Sequence, residues 1–193
     1  MPPIPQAVSV GVGDAASRLL EGARRASIWN GEAPIPVELI TESLLGLAIE
    51  WAPLVGREAG TIILGAVDAE ARVVYLNENE RLLFQRTIGL ERFTIGHELG
   101  HFELHATPGR AGEEITPCGI GDVARREVEA EAFSACLLMP EELVRQHTHG
   151  TNTALWPRVY SLRETFGVSA TAMTYRLRNL GYRTPERFRT DAR

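Results

Sequence analysis

The segment His97-Glu98-Leu99-Gly100-His101 constrains this chain more than any other feature of its sequence. Histidines four residues apart project from one face of a helix, one turn apart. The flanking residues are strongly apolar, so the helix should be deeply packed, and buried imidazole and carboxylate groups need partners. A metal ion supplies one, because both imidazoles can reach a single ion at roughly 2.0–2.1 Å. We therefore interpret His97 and His101 as metal ligands rather than as solvated histidines of a surface helix.

Glu98 follows the first of these histidines and leans toward the same face of the helix. Its carboxylate can reach a water molecule that the ion activates, because a bound divalent ion lowers the pKa of such a water toward neutrality. The carboxylate would take a proton from the water and then carry it to the leaving amine. Glu98 is thus the candidate catalytic residue of a hydrolase.

A catalytic zinc ion needs a third protein ligand and one open position. Three glutamates in the next helical segment are candidates: Glu127, Glu129 and Glu131. Glu127 and Glu131 share a helix face, whereas Glu129 points elsewhere. We assign Glu127 to the metal, and Glu131 to a position behind it where it accepts a hydrogen bond from a ligating histidine. The competing interpretation is an acidic first turn that the helix dipole stabilises.

His105 is a further candidate near the site, but its spacing argues against direct ligation. In one helix it lies about 12 Å along the axis from His97. It also lacks the glycine turn and the wider spacing of metzincins. We expect His105 to support the site from behind a ligand or to lie at the end of the helix.

The period of the hydrophobic pattern changes along the chain, which predicts an α+β fold. Three segments alternate as strands, around a turn after the second: 47–51, 61–67 and 72–77. We expect a small antiparallel sheet, packed on the helix that carries the histidines and on a ligand-bearing helix capped by Asp122 and ending near Met139. Residues 1–13 should be loose. Further helices are predicted over 14–28, 36–45, 78–87, 90–105, 154–166 and 170–180.

Two blocks of the sequence together resemble a known family. The first block is Arg92-Phe93-Thr94-Ile95-Gly96-His97-Glu98-Leu99-Gly100-His101 with Leu104-His105, and the second is Glu127-x-x-Ala130-x-x-Phe133-x-x-x-Leu137-Leu138-Met139-Pro140. In this order and spacing they closely resemble the ImmA/IrrE family of metallopeptidases, over roughly residues 34–181. In that family the glutamate that opens the second block is the third ligand, so the resemblance also implies this role for Glu127.

The family cleaves helix-turn-helix repressors or antitoxins and so switches on mobile-element, stress or DNA-damage genes. The resemblance therefore implies a zinc-dependent endopeptidase that acts on such a regulator, although a His₂Glu set would also accept manganese. Two positions depart from the family pattern: Glu131 stands where relatives usually carry Asn or Asp, and Ser134 where they usually carry Ala. Residues 1–33 are short for a repressor-like domain, so we expect the substrate to be a separate chain.

The segment from Leu162 to Gly181 looks like a helix-turn-helix with arginines on its second helix. Thr171, Thr174 and Arg178 could contact DNA, but the apolar residues of the segment favour a structural or protein-docking role. The rival hypothesis is a DNA-binding regulator with a structural or sensory metal. It predicts salt-dependent duplex binding that falls when Arg176 and Arg178 are neutralised. A third hypothesis is a peptidase-like scaffold that binds a regulator without cutting it.

These features divide the chain into an N-terminal tail and helix (residues 1–33), a zincin-like metallopeptidase domain (34–150) and a basic helix-turn-helix-like segment (151–193). The net charge of −5 does not mark the whole chain as a nucleic-acid binder. Its two cysteines do not form a disulfide framework. The chain has no basic leader and no apolar run of membrane-spanning length, so we expect a cytoplasmic location and no membrane partner.

Overall fold

A computed structural model describes residues 6–56, 62–105 and 120–186. These residues form a mixed fold of helices and one small sheet, which confirms the α+β prediction. In chain order the elements are α1 (Gln6–Arg25), α2 (Val37–Leu39), β1 (Ala48–Ala52), β2 (Gly65–Asp68), β3 (Val73–Asn77), α3 (Arg81–Arg86), α4 (Leu90–His105), α5 (Ile120–Leu138), α6 (Glu141–Thr148), α7 (Trp156–Phe166) and α8 (Ala170–Asn179). A π-helical turn (Ile40–Leu44) continues α2, and a 3₁₀ turn (Glu78–Glu80) precedes α3.

The sheet has the strand order β1-β3-β2, with β3 in the centre. Strands β2 and β3 form an antiparallel hairpin, and the carboxylate of Asp68 accepts hydrogen bonds from the backbone N–H groups of Glu70 and Ala71 in its turn. Strand β1 pairs with β3 in parallel, so the prediction of a purely antiparallel sheet is wrong. Alternating side chains reveal strands, but only the short turn fixes a pairing direction, and no such turn joins β1 to β3.

The core lies between α4, α5, α1 and the sheet. Helix α4 makes its most extensive contact with α5, and α1 covers another face of α5. Ile95 and Leu99 of α4 are fully buried, as are Phe133 and Leu137 of α5. Burying such a side chain contributes about 1.5–3 kcal/mol, so this contact holds the two helices firmly in place.

Two predicted helix starts are wrong. Helix α1 already includes Gln6, so the segment expected to be loose is helical from there on, and Asp14 lies inside the helix. Val12 is buried in the core, and this packing outweighs the weak helix propensity of a segment rich in glycine and valine. Helix α5 likewise includes Ile120, which places Asp122 within its first turn. The loop predicted before Asp122 and the loop cysteine Cys118 fall largely or wholly outside the described residues.

Helices α7 and α8 are joined as the helix-turn-helix pattern predicts. Gly167 ends α7 with a φ of 63°, and the hydroxyl of Ser169 caps α8 by accepting a hydrogen bond from the N–H of Ala172. Phe166 and Leu177 are fully buried and belong to the same hydrophobic cluster as the residues of α4 and α5. The boundary proposed at residue 150 remains a prediction.

Candidate metal centre

Helix α4 has a buried apolar face with the two histidines at its edge. Its buried face is anchored by Ile95 and Leu99, while His97 and His101 lie at the margin of the core with side chains 22% exposed. The two Nε2 atoms are 3.1 Å apart. Two imidazole nitrogens that face each other at this distance need a proton or a cation between them.

Helix α5 brings a carboxylate to the same point. Glu127 places Oε2 3.3 Å from Nε2 of His97 and Oε1 3.4 Å from Nε2 of His101. Three donors held by one tetrahedral ion at about 2.1 Å would lie about 3.4 Å from one another. The donor spacing therefore fits a divalent ion, and the side chain of Glu127 is 57% exposed, so the centre opens toward solvent.

The ionisable groups of the centre shift one another's pKa. Hydrogen bonds from His101 and His97 lower the pKa of Glu127 far below its usual range. Burial is the largest influence on the pKa of His97 and lowers it, but the hydrogen bond to Glu127 and the charges of Glu98, Glu127 and Glu131 together raise it. The surrounding carboxylates thus make protonation of His97 easier in the metal-free centre, and a metal ion would take the place of that proton.

Glu98 lies beneath the donors, toward the sheet. It is 6% exposed and makes no hydrogen bond with any residue that the structure describes. Burial raises its pKa, and the nearby His97 and His101 oppose this effect. A largely buried carboxylate with a raised pKa, next to two imidazoles, is a candidate for chemistry.

Sequence reasoning missed Gly65, the first residue of β2. A Cβ at this position would lie 2.7 Å from Cγ2 of Thr94 and 3.0 Å from Oε1 of Glu98, so only glycine leaves room for the carboxylate against the strand. The available signal was an isolated glycine within a strand pattern, which often marks a close approach. The contact between Gly65 and Glu98 depends on where β2 lies in the sheet, and the sequence pattern does not predict that position.

His105 occupies the last turn of α4, outside the donor triad. Its ring centroid is 5.6 Å from that of His101, and its Nε2 atom lies 3.7 Å from Oε2 of Glu129 and is buried without a hydrogen bond. Burial lowers its pKa. Glu129 also pairs with Arg125 at 2.8 Å, so it points away from the donor triad as expected. A supporting role for His105 remains a prediction.

Glu131 is half-buried and forms no hydrogen bond with a histidine among the described residues. Burial raises its pKa, and His97 opposes this effect, so the two groups interact through their charges. The hydrogen bond expected from a ligating histidine is therefore not formed in this geometry. A supporting role for Glu131 stays a prediction.

The polar residues of α8 divide into buried and exposed groups. Thr174 is buried and donates its hydroxyl to the carbonyl of Ala170. Arg176 is 9% exposed, and its Nε donates to the carbonyl of Met139 at 2.8 Å. Thr171 and Arg178 remain exposed. Two residues that the DNA-binding hypothesis uses are therefore largely withdrawn from solvent, for different reasons. Thr174 bonds within its own helix, whereas Arg176 bonds to Met139, the residue that directly follows α5.

An HExxH helix paired with a carboxylate-bearing helix beside a small sheet is the arrangement of a metallopeptidase. The pattern of the Peptidase_M78 family, described as the IrrE N-terminal-like domain, matches residues 64–178, which is more than half of the chain. The chain therefore belongs to the ImmA/IrrE family of metallopeptidases, as its sequence motifs predicted.

Other comparisons are more distant. A transcriptional regulator from Mycobacterium tuberculosis has a similar fold, with a TM-score of 0.55 and 14% sequence identity. The alignment covers 93% of this chain and 49% of the other, so this chain spans about half the length of that protein, and the likeness shows the fold alone. No curated protein matches the sequence significantly. Within the described residues, no helix has the length and hydropathy that crossing a membrane requires.

Proposed function

We propose that this metallopeptidase is a zinc-dependent endopeptidase that cleaves a helix-turn-helix repressor or antitoxin and thereby relieves gene repression. The observation that carries the proposal is the spacing of 3.1–3.4 Å between donor atoms of His97, His101 and Glu127, with Glu98 buried beside them. The family supports peptide hydrolysis, and the similar solved structure is called a transcriptional regulator. A substrate that controls transcription also fits a cytoplasmic location.

Two imidazoles and one carboxylate form a donor set that zinc favours in catalytic sites, and manganese would also accept it. In this proposal His97, His101 and Glu127 hold the ion and leave one position open. The bound ion supplies Lewis acidity, which activates water and polarises the scissile carbonyl. The exposed side of Glu127 leaves this position accessible from solvent.

Glu98 would act as the general base. Burial raises its pKa, which makes the carboxylate a better proton acceptor near neutral pH than an exposed glutamate. It would take the proton of the attacking water and then donate it to the amine of the departing peptide. Gly65 gives this carboxylate its place against β2, so the strand fixes the position of the base.

Strand β2 also offers a means of holding an extended peptide. It pairs only with β3 among the described strands, so its other edge presents backbone N–H and C=O groups. A substrate segment could add to this edge as a further strand, a mode that gives affinity through main-chain hydrogen bonds. Because β2 contacts α4 through Gly65 and Glu98, a peptide on this edge would lie near the general base.

The DNA-binding alternative has weaker support. Thr171 and Arg178 are exposed on α8, but Thr174 and Arg176 are buried with intramolecular partners. Neutralising Arg176 would therefore disturb the protein itself before it removed a phosphate contact. A docking role for the exposed part of α8 toward the protein substrate is compatible with these contacts.

The deciding experiment is cleavage of a candidate repressor, for example one encoded by a neighbouring gene, with purified chain and Zn²⁺. We expect a defined cleavage product, and a rate about 10³-fold lower for Glu98→Gln, because general base catalysis contributes about 10²–10⁴-fold. Glu103→Gln is the matched control, since Glu103 lies on the same helix and burial also raises its pKa. Its rate should equal that of the wild type.

Three other results would contradict the proposal. A stable complex without any product would favour the scaffold hypothesis. Unchanged cleavage by Glu98→Gln would show that another group acts as the base. Salt-dependent binding to a DNA duplex, with no effect on any repressor protein, would favour the DNA-binding regulator.

A further inference from the structure

Helices α4 and α5 are in close contact at two glycines, each of which directly precedes a metal donor. Gly96 directly precedes His97, and Gly100 directly precedes His101. Both glycines are buried and face α5, whereas the histidines lie at the edge of the contact. The same stretch of α4 therefore determines both the packing distance and the placement of two donors.

The space at Gly100 is closed by backbone. A Cβ at this position would lie 2.8 Å from Cα of Ala130 and 3.0 Å from its carbonyl oxygen. Because backbone atoms cannot rotate away, any side chain at position 100 would move one helix relative to the other. Ala130 is three residues from Glu127, so the displacement would occur within one turn of the carboxylate.

The space at Gly96 is closed mainly by a side chain. A Cβ there would lie 2.6 Å from Oγ of Ser134 but 3.4 Å from its Cα atom. The hydroxyl of Ser134 donates to the carbonyl of Phe93 at 2.9 Å, so it cannot turn aside without losing this hydrogen bond. That carbonyl lies in the turn of α4 that precedes His97, so the bond also fixes the axial position of α5.

We propose that Gly96 and Gly100 are positioning residues for the metal centre. Their lack of side chains lets α5 lie close enough for Glu127 to reach both imidazoles, at 3.3 and 3.4 Å. Metal–ligand bonds tolerate only about 0.2 Å of error, so a small separation of the helices weakens ion binding. The inference rests on the proposed function, in which these three residues hold the ion.

A merely structural role for the glycines makes a different prediction. Bulk at position 96 would then lower the free energy of unfolding of the metal-free chain, while the folded protein would bind zinc as before. Helix propensity cannot explain a loss, since Gly→Ala in a helix with room for the methyl group is favourable. Zinc affinity of the folded protein therefore separates the two roles.

The test compares zinc dissociation constants of the full chain, measured by competition with a chromophoric chelator, alongside urea unfolding of the metal-free protein. We expect Gly96→Ala to weaken zinc binding at least about tenfold, which corresponds to about 1.4 kcal/mol. The swap Gly96→Ala/Ser134→Gly removes the clashing hydroxyl. It should bind zinc within about threefold of Ser134→Gly alone, because the helix separation is restored.

Gly13→Ala is the matched control, because Gly13 lies in helix α1 with no atom within 4 Å of its Cβ position. Its zinc affinity should be that of the wild type. If folded Gly96→Ala binds zinc as the wild type does, or if the swap variant fails to recover the affinity of Ser134→Gly, the inference is wrong. If Gly96→Ala does not fold, the swap variant alone decides, and its failure to fold would also overturn the inference.

Failure of the proposed function has a separate signature. If the wild-type chain does not bind zinc, or binds it equally well after Glu127→Gln, the metal centre itself is wrong. If the wild type binds zinc through Glu127, but Gly96→Ala binds zinc as tightly as the wild type, the metal centre is correct and the positioning role of the glycines is wrong.

Discussion

Two helix pairs in this protein carry polar residues on buried faces, but these residues differ in their hydrogen-bond partners. In the α7–α8 pair, Arg176 and Thr174 are buried and hydrogen-bonded to backbone carbonyls of the same chain. In the α4–α5 pair, Nε2 of His97 faces Nε2 of His101 at 3.1 Å, and the carboxylate of Glu98 beside them forms no hydrogen bond with the described residues. Buried polar groups that find partners within the chain stabilise it, whereas those that do not indicate a ligand or a reaction.

The difference matters because both pairs looked functional in the sequence. A histidine motif and an arginine-bearing helix each predict a binding role from residue type alone. Residue type alone does not distinguish a binding role from a structural role. The distinction depends on which face of each helix the rest of the fold covers. Substitutions that affect one pair but not the other therefore test this comparison directly.

The largest expected effect distinguishes two histidines of α4. We expect His101→Ala to weaken zinc binding about 10²–10³-fold, since a structural zinc site binds with about 10–16 kcal/mol shared among its ligands. His105→Ala should cost no more than about tenfold, because its ring faces Glu129 rather than the donor triad. Isothermal titration of both variants with Zn²⁺ measures this. Equal losses would mean that the triad is not the binding site.

The second effect concerns stability of the α7–α8 pair. Arg176→Met leaves the carbonyl of Met139 without its donor, so the free energy of unfolding should fall by about 2 kcal/mol. Arg178→Met removes the same charge from the same helix, but Arg178 is exposed, and the change should stay within about 0.5 kcal/mol. Urea unfolding with far-UV circular dichroism measures both variants.

The same variants test the rival function. If α8 reads DNA, Arg178→Met should weaken duplex binding at low salt and reduce the salt dependence, even though it leaves stability unchanged. An unstable Arg178→Met or an unaffected Arg176→Met would show that the burial assigned to the two arginines is wrong.

Local spacing predicted one region of the fold well. Helix α4 has the bounds that its pattern indicated, 90–105, because its apolar period, Gly89 and the histidine motif all favour the same helix. Local rules also defined the helix faces of His97, His101 and Glu127. They placed Glu131 on the same face as Glu127, however, and the family resemblance supported the choice of Glu127. Their atoms meet because the two helices pack along those faces.

Contacts between distant segments were not predictable in the same way. The parallel pairing of β1 with β3, the place of Glu98 against Gly65, and the bond from Arg176 to Met139 all depend on which elements become neighbours. Periodicity defines the faces of a helix or strand but not the element that covers each face. The burial of Thr174, a residue that the DNA-contact interpretation of α8 uses, was not predictable for the same reason.

The smallest expected effect is a change in the pH dependence of zinc binding. In the metal-free protein the pKa of His97 lies above its ordinary 6.5, even though burial lowers it, because Glu127, Glu98 and Glu131 favour the charged ring. Zinc must displace that proton. Affinity should therefore be highest above the pKa of His97 and fall by up to about tenfold per pH unit, for each proton displaced, as the pH drops below it.

Glu131→Gln removes one of the negative charges that raise this pKa, so the loss of affinity should begin at a lower pH than in the wild type. Glu129→Gln is the matched control, because Glu129 lies on the same helix but pairs with Arg125 and faces His105. Zinc titrations between pH 5 and 8, with the pKa of His97 followed by NMR, measure the shift. An onset that moves in Glu129→Gln but not in Glu131→Gln would assign the supporting carboxylate to Glu129 and to the His105 end of α4.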